Sequence, residues 1–107
     1  MTAGRLKERI VIEHKAVLRD IRTGEELPAK IERIAARTEV RYGGGGRSNE
    51  NGEIVYPYDI TFTLWLHMER HAGDYDTIVY RGDRYIIYSR ERDEREKALY
   101  LKCRKDG

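Results

Sequence analysis

The sequence predicts a small all-β protein: a five- to six-stranded antiparallel barrel or sandwich with a long mobile loop between its second and third strands. Three observations predict it. The even positions of residues 54–68 are all apolar: Ile54, Tyr56, Tyr58, Ile60, Phe62, Leu64, Leu66 and Met68. The last third of the chain reads as a meander of short β-prone runs around a glycine-containing turn. Between the N-terminal strands and the strongest alternation lie eleven residues, 43–53, without one apolar side chain.

Taken in order, Arg9, Ile10, Val11, Ile12, Glu13 and His14 read as the first strand, and residues 20–26, with Thr23-Gly24, as a turn or loop. Ile34, Ala36, Thr38, Val40 and Tyr42 alternate with Ala35, Arg37, Glu39 and Arg41, which predicts a second strand. A helix over 29–37 is the alternative, because Ile31 and Ile34 are three apart, but the period of two runs on to Tyr42. The loop follows: Gly43, Gly44, Gly45, Gly46, Arg47, Ser48, Asn49, Glu50, Asn51, Gly52 and Glu53. Four consecutive glycines cost much backbone entropy if ordered, and a segment this polar adds nothing to a core.

The alternation over 54–68 then demands an extended chain with one buried face, with Tyr56 and Tyr58 on it. Pro57 cannot donate to a ladder, so a short strand before it and a long one to Met68 are expected. Residues 77–80 and 85–89 form two strands around the turn Arg81-Gly82-Asp83-Arg84. Residues 90–96 read as a charged connector, and Leu99, Leu101 and Cys103 face inward on a last strand. Arg81, Arg84, Arg90 and Arg92 are placed to guard sheet edges, unless those edges pair with neighbouring copies.

Composition narrows the function. The 107 residues fit one domain over 1–107. Only 39% are hydrophobic and 37% are charged, so the core is small and the surface densely charged. The net charge of +2 arises from 21 basic and 19 acidic residues that alternate almost everywhere, without the basic stripe of a charge-driven nucleic-acid binder. One cysteine, Cys103, excludes an internal disulfide and reads as a buried reduced thiol. The first residues hold no apolar h-region, and no run nears the length of a spanning helix, so neither export nor a membrane is expected.

No motif carries catalysis. A phosphate loop ending at Gly46-Arg47-Ser48 fails, because position 41 is Arg, Arg47 replaces the lysine and no helix follows. His67 and His71 are four apart, but no further Cys or His completes a zinc set, so no metal site or cofactor is expected. Arg81-Gly82-Asp83 matches an adhesion tripeptide and equally a tight charged turn. No nucleophile, base and orienter stand in a recognisable pattern, which leaves a small hydrolase without support. Eight tyrosines and Trp65 suit either base stacking, as in an OB-like or SH3-like nucleic-acid module, or a protein interface.

The order of these features resembles the phage head–tail joining family, also called head-closure, stopper or head–tail adaptor proteins. The opening Ala3-Gly4-Arg5-Leu6-Lys7-Glu8-Arg9-Ile10-Val11-Ile12 is similar to the family's A-G-x-L-x-x-R-I-x-I start. Ile34-Ala35-Ala36-Arg37-Thr38-Glu39-Val40-Arg41 resembles its aromatic–alanine strand, with Ala35 nearest the usual Trp. Asp59-Ile60-Thr61-Phe62-Thr63-Leu64-Trp65-Leu66 resembles its x-I-T-h-R-Y strand, with Trp65 where an arginine is usual. Ile78-Val79-Tyr80-Arg81-Gly82-Asp83-Arg84-Tyr85-Ile86-Ile87 is similar to its V-x-Y-x-G-R-x-Y-x-I hairpin, and Leu99-Tyr100-Leu101-Lys102-Cys103 to its closing L-x-L-x-C strand. The resemblance implies a non-enzymatic virion protein, made in a host cytoplasm, that assembles with itself as a ring at the head–tail connector. Its partners would be the portal or adaptor protein, tail proteins and packaged DNA in the channel. Residues 43–52 would be the loop that faces the channel and the DNA.

Overall fold

The period-two runs form strands, and the strands close on themselves. The computed structural model describes residues 1–43, 47–48, 54–55 and 60–106. Its strands are β1 (Glu8–Arg19), β2 (Glu26–Tyr42), β3 (Arg47–Ser48), β4 (Ile54–Val55), β5 (Ile60–Trp65), β6 (Thr77–Tyr80), β7 (Asp83–Asp93) and β8 (Ala98–Lys105). Six of them form a closed antiparallel barrel in the order β1-β2-β5-β8-β7-β6, and β3 and β4 form a separate two-stranded ribbon.

Closure works because each wall strand turns one apolar row inward. Ile10 and Ile12, Ile60, Phe62 and Leu64, Ile78 and Tyr80, Tyr85 and Ile87, and Leu99, Leu101 and Cys103 form one buried cluster. Phe62 sits at its centre, edge-on to Tyr80 and Tyr85 with ring centroids 5.6 and 5.7 Å away. Thr38 is the polar member of the inner β2 row. Its hydroxyl lies 3.0 Å from the Thr63 carbonyl, so burial costs no orphaned donor. Burial also pushes the Cys103 thiol far above its usual range, as expected of an inert core thiol.

Five expectations need correction. β1 and β2 are far longer than their alternation suggests: they pair from Glu8↔Thr38 to Arg19↔Glu26, so residues 29–37 are strand and not helix. β6 pairs β1 only at Val11, Ile12 and Glu13, so the hairpin beyond them leaves the barrel as a two-stranded arm. Its residues are not packed into the barrel, so they show no burial period. β5 stops at Trp65, and Leu66–His71 form a 3-10 turn instead of the strand continuing to Met68. The Leu66 N–H bonds the Lys97 carbonyl at 2.8 Å, in the β7–β8 turn just before Ala98, the last β8 residue that pairs with β5. Leu66 and Met68 still pack against the core, which is why their alternation looked continuous.

The third correction is that β7 runs through most of the charged connector, with Arg90↔Leu101, Arg92↔Leu99 and Asp93↔Ala98 paired to β8. The fourth concerns the arginines. Arg81 and Arg84 stand where β6 and β7 pair, so they guard no edge, while Arg90 and Arg92 lie where β7 has β8 as its one partner strand; all four form ion pairs: Arg81 with Glu8, Arg84 with Glu13, Arg90 with Asp74 and Arg92 with Glu69. The β6–β7 turn is tighter than four residues, since Tyr80 already pairs with Asp83. Arg81 and Gly82 both have positive φ, +49° and +80°, the backbone of a two-residue type I′ hairpin turn.

Candidate functional site

β2 links the two ends of the molecule. Its first residues form the arm, and its last residue, Tyr42, opens the connection to β5. Gly43 ends the strand with φ +65°, and a Cβ there would meet open space, so conformation rather than crowding calls for glycine. Arg47 then pairs with Val55, and Ser48 with Ile54. The connection therefore carries a ribbon of its own where an unstructured loop was expected throughout. Gly44, Gly45, Gly46, Asn49, Glu50, Asn51 and Gly52 lie outside the described residues, as do Tyr56 and Tyr58.

Around Tyr42, at this end of the barrel, lies a rim of mixed charge. The Tyr42 hydroxyl is 3.5 Å from that of Tyr80. The Tyr42 hydroxyl, together with burial, holds the Tyr80 phenol up to about 12. The Arg81 guanidinium lies 5.3 Å from the centre of the Tyr80 ring and 3.2 Å from Glu8. Lys105 approaches Asp83 at 3.8 Å. Acids and bases neutralise one another around this rim, so it offers paired polar contacts rather than a field that would gather nucleic acid.

At the opposite end the arm is tied to the barrel by a carboxylate that the sequence reading missed. Asp76 is 6% exposed. It accepts from the Gly73 N–H at 2.6 Å and the Lys15 N–H at 3.1 Å, and His14 Nδ1 lies 2.6 Å away. An ionised carboxylate only accepts, so His14 Nδ1 carries the proton. Three donors on one buried carboxylate join the β5–β6 connection to the root of the arm. No sequence pattern marks this, because His14 and Asp76 are 62 residues apart.

The other candidates do not converge. His67 is exposed and His71 half-buried on the 3-10 turn, where Arg70 Nε meets His71 Nε2 at 3.1 Å. Among the described residues, no three His, Cys, Asp or Glu side chains come together to hold a metal ion. No helix of the described residues is long and apolar enough to cross a membrane. Tyr88 lies under Arg104, whose guanidinium is 4.8 Å from the ring centre, while Tyr75 stands 81% exposed. The described aromatic residues are thus divided between core and scattered surface sites, and among them no stacking platform for bases forms.

Comparison with known proteins gives one family. A family model described as phage head completion protein matches residues 1–106. No curated protein matches the chain. Among solved structures, the solution structure of protein SF1141 from Shigella flexneri 2a is similar, with a TM-score of 0.62 and 23% identity over 100% of this chain and 98% of that one. At that identity the likeness is one of fold.

Proposed function

The chain belongs to the phage head completion family, structural proteins of the phage head that meet head and tail components, and on that premise we propose that it assembles as a ring at the head–tail connector. There it closes the DNA-filled head and docks the tail. The ring stacks on the portal or its adaptor, and the β2–β5 connection, residues 43–52, lines the channel and meets the packaged DNA. The family is a structural one, not an enzymatic one.

The observation that supports this reading best is the placement of the two extensions. The arm and the glycine-rich connection leave from opposite ends of the same 17-residue strand, β2. A ring subunit needs this separation: one element to reach its neighbours, another to reach the lumen, and a rigid barrel between them. Four consecutive glycines, Gly43 to Gly46, are also a sequence suited to a segment that must admit DNA and then hold it.

Deleting residues 44–51 in a phage tests the channel role. Capsid assembly and DNA packaging should proceed, and the heads should then lose their DNA. Normal infectious particles would refute gating by this segment. The rival reading, a small barrel that binds nucleic acid by itself, requires tight, salt-sensitive DNA affinity of the isolated chain. The balanced rim argues against it.

A further inference from the structure

β2 has an open edge where it leaves the barrel. It pairs with β1 up to Thr38 and with β5 only from Glu39, so between Ile31 and Arg37 its second side meets no strand among the described residues. The β1 edge of the arm is closed at its root, where Asp76 takes the Lys15 N–H at 3.1 Å. That bond also fixes where the β2 groups point. Directly opposed residues of an antiparallel ladder turn their N–H and C=O groups both inward or both outward, and the sense alternates along the strand. The Lys15 N–H points away from β2, and Lys15 lies opposite Ile31. The register is unbroken from Ala16 back to Glu8, so Ile31, Arg33, Ala35 and Arg37 all turn their groups to the open edge. Among the described residues none of these groups has a backbone partner.

The edge ends in a cleft. The Thr38 hydroxyl on the Thr63 carbonyl closes the β2–β5 ladder, and beyond it β5 turns away, with Trp65 paired to β8 alone. A groove of about 530 Å³ opens there, lined by Leu6, Ala36, Arg37, Trp65 and Met68. A second, of about 320 Å³, continues past Trp65 and His67 to Lys97. No acid lines either groove. The nearby acids are held: Glu39 by Arg5, Glu69 by Arg92 and Glu96 by the Met1 ammonium. Arg37 and Lys97 form no ion pair among the described residues. The site therefore combines an unpaired backbone edge, an apolar groove and two unneutralised cations.

We propose that the β2 edge receives a strand from another protein, an extended segment whose aliphatic side chains fill the groove and whose carboxylates meet Arg37 and Lys97. A second copy is a poor match. The same edge carries Lys30, Arg33 and Arg37 against Glu32 alone, so two such edges would oppose like charges. A nucleic acid would meet the cations but has no backbone that pairs with a strand edge. The connector reading enters only in the source of the strand, a head or tail component.

A short peptide of alternating valine and glutamate tests the site on the full chain. Trp65 is the one tryptophan, so its emission reports the groove. Titration should shift that emission and slow amide exchange at Ile31, Arg33, Ala35 and Arg37. The same peptide with alternate amides N-methylated should not bind, because it cannot extend the ladder. Arg37→Glu should weaken binding at least tenfold and turn the preference to a valine–lysine peptide, a reversal that misfolding cannot produce. No binding up to about 1 mM peptide overturns the site. So does equal binding of the lysine or N-methylated peptide, or slowed exchange at these amides in the chain alone as its concentration rises. A connector ring seen with this edge bare would overturn the site and leave the ring reading standing.

Discussion

β2 passes through two environments, and they differ in what the sequence is for. Within the barrel its inner row, with Ala36 and Val40 around the buried Thr38, packs against Phe62 and its neighbours, and its ladder passes from β1, up to Thr38, to β5, from Glu39. Along the arm the same strand has one partner, and its apolar residues Leu27 and Ile31 remain in solvent. Barrel residues are chosen to stabilise the fold; arm residues expose apolar surface that the fold does not use.

The largest expected effects lie in the barrel. Phe62→Ala should cost about 3–5 kcal/mol in urea unfolding, since the most central side chain leaves a cavity. Ile21→Ser at the arm tip should stay within about 0.5 kcal/mol of the parent. Equal losses at the two sites would erase the contrast. Asp76→Ala, at the junction, should cost about 1–3 kcal/mol by orphaning His14 and two backbone donors. Amide exchange should localise that loss to Lys15 and Gly73; a uniform loss of protection would mean that the arm is not separately tethered. Removing residues 44–51 should change stability by less than about 1 kcal/mol, the scale of altered loop closure. A chain unfolded by that deletion would show that the β2–β5 connection supports the barrel.

The smallest effect concerns the Tyr42–Tyr80 pair. Tyrosinate absorbance should show one phenol titrating near 12 rather than 10, and Tyr42→Phe should move it back down. Because the folded value is raised, this pair contributes stability fully below pH 10 and loses it as pH rises through about 12. A titration with every tyrosine near 10 would remove the pair from the rim.

The same contrast explains what was legible. β5, β6 and β8 were readable because each has a buried face, and a buried face writes a period of two into the sequence. The resemblance supplied the family, which the matched model bears out. Arg90 to Asp93 were misread as a connector because their side chains are polar; only the pairing with β8 makes them strand. The arm was invisible for a like reason. Its apolar residues are not packed into the barrel, so Leu18, Ile21, Leu27 and Ile31 follow no burial period and residues 29–37 allowed a helix. The Asp76 junction joins residues distant in sequence, which no local pattern can announce.

The central claim is that this chain forms a ring whose β2–β5 connection lines the channel. An electron cryomicroscopy reconstruction of the head–tail connector in intact particles tests it most directly. The account predicts a ring of six-stranded barrels below the portal, with residues 43–52 directed into the lumen and the arms directed to neighbouring copies. A connector without this chain, or a ring with residues 43–52 on its outer wall, would contradict it.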